Sequence, residues 1–225
     1  QALPQNTLLL IDRRDVASEI AYEQFTVILD DMKVGYAVCD VAAETIPAFD
    51  PFSAVIVLLS DLTPMGDEII ELCDWVHSGA SAWFPMTLET NPYSSAISQL
   101  IGIDAISSSY LTVNSIYVSE AFMIGGGRSF VFTDPFESSR TVVLNDALTT
   151  VYASANTQDG VPLVWKTEYG NGVFVVDNIG IYDKNRASAR LKSSLAGIPL
   201  VLVVQQVLDV RRAIICFAHL SSLLS

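Results

Sequence analysis

The apolar positions along this chain fall into two rhythms. Residues 7–11, 35–41, 54–59 and 82–86 are short runs rich in apolar and β-branched side chains. The run AVIVLL at 54–59 has the pattern of a parallel strand buried on both faces. Between these runs the spacing changes to that of a helix. Residues 18–32 place Ile20, Phe25, Ile28 and Leu29 on one face, and residues 67–77 do the same with Ile69, Ile70, Leu72, Cys73 and Val76. Residues 93–101 predict a third, short helix. Pro47, Asp50 and Pro51 mark a loop. Thr63 and Pro64 read as an N-cap with proline at the first helical position, and Gly79 as a helix stop. The order strand, helix, strand, loop, strand, helix, strand, helix predicts a parallel sheet covered on both faces.

The pattern then shifts. Residues 115–118, 129–133, 141–144 and 150–153 read as short strands between Gly, Pro and Asp turns. Residues 161–169 and 173–178 flank Gly170-Asn171-Gly172, a strong hairpin signal. The expected fold is therefore α/β, a flavodoxin-like three-layer domain with a mainly parallel sheet and an added antiparallel β segment. Its expected extent is residues 1–185. Residues 186–225 are a basic, Leu/Val-rich tail that fits a helical packing element or a fragment of a following module.

Composition narrows the partners. The 225 residues are 51% apolar, enough for a full core, and carry a net charge of −13. Residues 1–183 account for −18 and residues 184–225 for +5. A chain this acidic lacks the clustered Lys and Arg that displace counterions from nucleic acid, and it suits an anionic membrane surface no better. A neutral or cationic polymer, such as an amino-sugar chain, is compatible with it. The acidic, Lys-poor composition is in keeping with an exported or cell-surface protein. No apolar run reaches the roughly 18 residues of a membrane-spanning helix. The chain opens without Met or a signal-peptide pattern, as expected of a processed or trimmed product. Cys39, Cys73 and Cys216 are odd in number and have no CxxC spacing, so neither a disulfide framework nor a zinc site is expected. No cofactor is expected either.

Three stretches carry a resemblance: SAVIVLLSD at 53–61, IIELCDWVHSGASAWF at 69–84 and DGVPLVWKTEYGNGVFVVDNIG at 159–180. Together they resemble the class I glutamine amidotransferase-like superfamily, in the divergent branches that accompany carbohydrate-active enzymes. Continued through IYDKN, the last stretch resembles an uncharacterised bacterial family found beside polysaccharide-deacetylase-like modules and linked to exopolysaccharide production. The resemblance covers about residues 7–185 and implies the fold. It argues against glutaminase chemistry, which needs a Cys nucleophile on a strand-to-helix elbow with His and acid support. The corresponding stretch, SAWFPMTLETN, offers Pro85, Met86 and Thr87 but no Cys, and no His-x-Glu follows the late hairpin, where the chain reads Asp177-Asn178-Ile179. His77 and His219 stand elsewhere. Divergent members that have lost the triad act as accessory domains.

Candidate ligand-binding residues lie at strand ends, where open α/β sheets place their ligands. Asp12, Arg13, Arg14 and Asp15 crowd the turn after the first strand. An arginine there can grip a carboxylate or phosphate bidentately and the aspartates can bind hydroxyls. The same residues can equally form an Asp12–Arg pair, with Asp15 or Ser18 capping the helix. Asp61, Glu89 and Asp177 end later strands, beside Ser60, Thr87 and Asn178. Converging carboxylates serve acid–base catalysis or bind sugar, while solvated rim residues and helix caps need no ligand. Cys73 and His77 share a helix face four residues apart but have no evident third metal ligand, so no metal is expected. IGGGRSF at 124–130 lacks the ending of a phosphate loop and GASAW at 79–83 lacks the second Gly of a nucleophile elbow. Trp83, Tyr93, Tyr110 and Tyr182 are the aromatics that a glycan-binding rim would use, with core packing the competing role for Trp83.

Three functions follow. The first is a non-catalytic accessory domain that binds or positions glycan, or packs on a neighbouring catalytic module. The second is a carboxylate-based glycan hydrolase, and the third a purely structural interaction domain. The absence of the triad leans the reading away from an enzyme.

Overall fold

A computed structural model describes residues 5–107, 109–120, 127–137 and 141–179. The tail beyond residue 186, together with Tyr182, Cys216 and His219, lies outside the described residues.

The chain opens with β1 (Gln5–Ile11), α1 (Val16–Asp31), β2 (Gly35–Asp40) and β3 (Ala54–Val57). A 3-10 turn (Thr63–Met65), α2 (Glu68–His77), β4 (Ser81–Phe84) and α3 (Pro92–Ile97) follow. Then come β5 (Ile103–Ile106), β6 (Thr112–Val118), β7 (Arg128–Glu137), β8 (Val142–Leu144), β9 (Thr149–Ala155), β10 (Pro162–Tyr169) and β11 (Gly172–Asp177). Nine strands form one sheet in the order β2-β1-β3-β4-β11-β10-β9-β6-β7, and β5 and β8 pair separately. From β2 to β11 every pairing is parallel. From β11 outward every pairing is antiparallel. The fold is thus flavodoxin-like α/β, and the antiparallel segment extends the same sheet instead of forming a separate one.

Alternation along the central strands explains the layers. Leu9, Ile11, Ile56, Leu58, Trp83 and Val175 face α1, which contributes Ala21, Phe25, Ile28 and Leu29. Leu8, Leu10, Val55, Val57, Phe84 and Val176 face the opposite way, toward Ile69, Leu72 and Val76 of α2. Trp83 belongs to this core, edge-on to Phe25 with ring centroids 5.0 Å apart. It is therefore no rim aromatic. Tyr93 packs partly against the second core, and Tyr110 is exposed.

The hairpin between β10 and β11 turns on Gly170 and Asn171. Gly170 has φ +60, and a Cβ there would land 2.5 Å from the ring and carbonyl of His77. At Gly172 a Cβ would meet the Val76 carbonyl oxygen at 1.9 Å. The hairpin therefore docks its backbone on the end of α2, where the Asn171 N–H donates to the His77 carbonyl at 3.0 Å. Only glycine allows that approach.

Two expectations about elements are corrected, and one strand is added. Thr63 and Pro64 do not open α2. They form the 3-10 turn, which Gly66 (φ +57) ends before Asp67 precedes the helix. The third helix stops at Ile97, four residues short of the expected end. Strand β5 has no counterpart among the sequence-predicted elements.

Candidate functional site at the carboxyl rim

Parallel strands aim their carboxyl ends at one rim of the sheet, and two polar groups form there. The first belongs to β1 and β2. After Ile11, Asp12 takes Arg14 in a bidentate pair, Nε to Oδ1 at 3.0 Å and Nη2 to Oδ2 at 2.9 Å. The Arg14 backbone N–H also donates to Asp12 Oδ1 at 2.8 Å. The hydrogen bond to Asp12, and then that carboxylate's charge, raise the Arg14 guanidinium above its ordinary range. Asp15 caps α1 by accepting from the Ala17 N–H at 3.2 Å, and Ser18 Oγ accepts from the Asp12 N–H at 2.9 Å. Arg13 reaches Glu19 at 3.3 Å and Asp40 at 4.0 Å, with its guanidinium 5.4 Å from the centroid of the Tyr22 ring. All four candidates of this turn are thus engaged in an ion-paired helix start.

The second group joins the ends of β3, β4 and β11. The Asp61 carboxylate accepts from the Thr63 N–H and from Asn91 Nδ2, each at 2.9 Å. Asn91 also opens α3 in a reciprocal cap with Ser94. Ser94 Oγ donates to the Glu89 carbonyl at 2.7 Å, and the Glu89 N–H donates to the Ser60 carbonyl at 2.7 Å. The Ser60 hydroxyl lies 3.4 Å from Glu89 Oε1. One strand further on, Thr87 Oγ1 donates to Asn178 Oδ1 at 3.3 Å. Asp177 is completely buried, and its Oδ1 accepts from the Ile179 N–H at 2.9 Å. Asp61 and Glu89 are therefore brought into one network, with Asp177 at the end of the adjacent strand. Asp12, Arg13, Arg14 and Asp15 belong to the other group.

Thr87, Asp177 and Asn178 line a narrow crevice whose remaining walls are apolar, among them Met86, Ile103, Val142 and Trp165. Trp165 is fully buried and anchored by its Nε1–H on the Ile101 carbonyl at 2.8 Å. The β5–β8 ribbon supplies Ile103, Ile106 and Val142, so it walls the crevice on one side. A pocket of apolar walls with a few polar groups is the usual form of a small-ligand site.

Sequence reasoning missed three contributors. Asn91 carries a helix-start signal, Asn before Pro92 with Ser94 following, that was legible. Asp40 ends β2 as Asp12 follows β1, and it accepts from the N–H groups of Ala42 and Arg13. Nothing local marks β5, which pairs with the expected strand at 141–144 to form the β5–β8 ribbon. Among the described residues no group of three His, Cys, Asp or Glu is placed to hold a metal ion. Cys73 is buried and its thiol is pushed up to about 12, chiefly by burial, while His77 packs edge-on to Tyr169. Among the described residues no helix is long and apolar enough to cross a membrane.

Residues 2–148 match DUF2194, a family of uncharacterised proteins conserved in bacteria, and the chain belongs to that family. No curated protein matches it in sequence. Among solved structures it is similar to the exo-β-1,4-mannosidase Op5Man5 from an Opitutaceae bacterium, at TM-score 0.53 and 14% identity, over 85% of this chain and 34% of that one. It is also similar to a β-galactosidase from Bacillus circulans, at TM-score 0.53 and 12% identity, over 87% of this chain and 32% of the other. A ThuA-like protein from Bacteroides uniformis matches at TM-score 0.51 and 11% identity, over 80% and 83%. The chain thus spans about a third of each glycosidase, and at these identities the likeness is one of fold.

Proposed function

We propose that this domain is a non-catalytic accessory module of an exported, exopolysaccharide-associated protein, and that it binds or positions glycan at the carboxyl rim beside a catalytic module. The observation that carries this reading is the crevice at the ends of β4 and β11. Its apolar walls suit a sugar face laid across the mouth, and Thr87 and Asn178 stand on its polar side. The mannosidase and the β-galactosidase are by name enzymes that act on glycans, and the match to this fold covers about a third of each. The amidotransferase-like resemblance supports the same role, because the matching stretch offers Pro85, Met86 and Thr87 but no Cys.

The hydrogen bonding favours binding over catalysis. Asp61 and Asp177 each hold a backbone N–H. A general acid or base must instead reach the proton it transfers. The test is calorimetric titration of the chain with acetylated and partly deacetylated amino-sugar oligomers at two salt concentrations. Binding that weakens in Glu89→Gln and, for the deacetylated oligomers, with salt supports the reading. An absence of heat with every oligomer overturns it. Turnover of an oligomer, abolished by Asp61→Asn, would replace it with the hydrolase.

A further inference from the structure

The two faces of the sheet are covered unequally. Among the described residues α2 and α3 pack on one side, and α1 is the helix on the other. On the α1 side a narrow, mostly apolar recess opens at the amino ends of the central strands. Leu29 and Val34 wall it from the end of α1, and Ile56, Trp83 and Val175 from the sheet, with half-buried Ala54 at its edge. Trp83 is 5% exposed, and its Nε1–H is buried without an acceptor. Folded proteins seldom leave a buried donor in that state. The end of α1 beside the recess is strongly negative. The helix closes on Asp30 and Asp31, both exposed, with no basic residue in its last turn. Two carboxylates there add to the negative end of the helix dipole, so a cation is favoured at that end.

The chain itself offers an occupant. Ile179 is fully buried in the same core cluster as Trp83 and Val175, so the chain leaves β11 on the α1 side. It leaves at the carboxyl rim, and the recess lies about 20 Å back along the six residues of β11. The first long apolar run beyond that point is Leu195 to Val204, sixteen residues after Ile179. That connection spans about 24 Å as a helix and about 50 Å extended, so the run can reach the recess. Arg190 and Lys192 stand just before it, in a tail of net charge +5 that follows a body of −18. We propose that Leu195 to Val204 closes the recess, that a backbone carbonyl of the run accepts the Trp83 Nε1–H, and that Arg190 and Lys192 are thereby brought to the acidic end of α1. Residues 186–225 then complete this domain and are not a fragment of a following module. The proposal is independent of what the carboxyl rim binds.

The experiment follows hydrogen exchange in the full chain, at the backbone amides of 195–204 and at the three indole N–H groups. Trp83→Phe assigns the Trp83 signal. The amides of 195–204 should exchange at least about tenfold more slowly than in a free peptide, in keeping with a docked segment. Leu200→Asp combined with Leu202→Asp alters the tail and leaves the sheet untouched. It should speed exchange of the Trp83 indole at least about tenfold. The Trp165 indole, held on the Ile101 carbonyl, should not change and so reports that the fold is intact. Ala54→Phe fills the recess from its edge and should release the amides of 195–204. Free-peptide exchange of 195–204 in the unaltered chain overturns the proposal, with water left to fill the recess. So does protection that survives Ala54→Phe together with a Trp83 signal unmoved by the tail variant. Protection that falls on dilution overturns it too, because the occupant is then a second copy of the chain.

Discussion

The two ends of the carboxyl rim use similar residues for different work. At β1 and β2 the charges sit next to one another in sequence and neutralise one another locally. Asp12 holds Arg14, two residues away, and Asp15 caps the helix that follows. At β3, β4 and β11 the polar groups come from distant parts of the chain. Asp61 meets Asn91, Ser60 meets Glu89 and Thr87 meets Asn178. Local pairing completes itself within one turn and leaves little shape behind. Long-range pairing holds three strand ends together around a crevice, and the crevice gives a ligand somewhere to go.

The largest effect should come from breaking the second region at its base. Trp165→Ala removes a fully buried ring and its bond to the Ile101 carbonyl, and should cost about 3–5 kcal/mol in urea unfolding. A smaller loss would mean that the crevice wall collapses to fill the space. Alkaline titration tests the two cores that back the sheet, Tyr152 in one and Cys73 in the other. Burial pushes the Cys73 thiol and the Tyr152 hydroxyl up to about 12, from ordinary values of 9.0 and 10.0. Each folded value lies above its unfolded one, so the associated stability is present below about pH 9 and drains away as pH rises toward 12. Thermal melts from pH 8 to pH 12 should fall steeply over the upper half, and a flat profile would refute the assignment.

The caps sharpen the contrast. Asn91→Ala removes both the α3 cap and the partner of Asp61, and should cost about 1–2 kcal/mol. Asp15→Ala removes one capping bond from the ionic end and should cost about 1 kcal/mol. Equal costs would mean that the Asp61 contact adds nothing. The smallest effect belongs to Arg14→Ala. Its pair with Asp12 is bidentate but lies in water, and solvent screening leaves such pairs close to neutral. A marked drop in melting temperature would show that the ionic turn holds more than itself.

The central strands, α1 and the body of α2 were legible before any coordinates, because burial on one or two faces writes a period of two or of 3.6 into the residues. The hairpin was legible from Gly170-Asn171-Gly172, because its backbone approach to α2 excludes a side chain. The alternative reading of Asp12 to Asp15, pairing plus capping, was legible for the same reason: it is local. The end of α3 was not. The Ile101 carbonyl leaves the helix to accept from Trp165 Nε1 and Thr167 Oγ1, more than sixty residues away. Gly102 then turns with φ +84 into β5. Helical spacing over 93–101 carries no sign of that demand.

The sequence by itself determined the alternation of strand and helix, the acidic surface and the lack of a Cys nucleophile after β4, because each is a property of neighbouring residues or of their sum. Tertiary structure alone decided that Asp61 and Glu89 share one network while Asp12 stands apart. It also set Ile103 and Ile106 against the crevice. Those outcomes follow from strand order and from the pairing of β5 with β8. Both are chosen by the packing of residues far apart in the chain, and no local pattern encodes them.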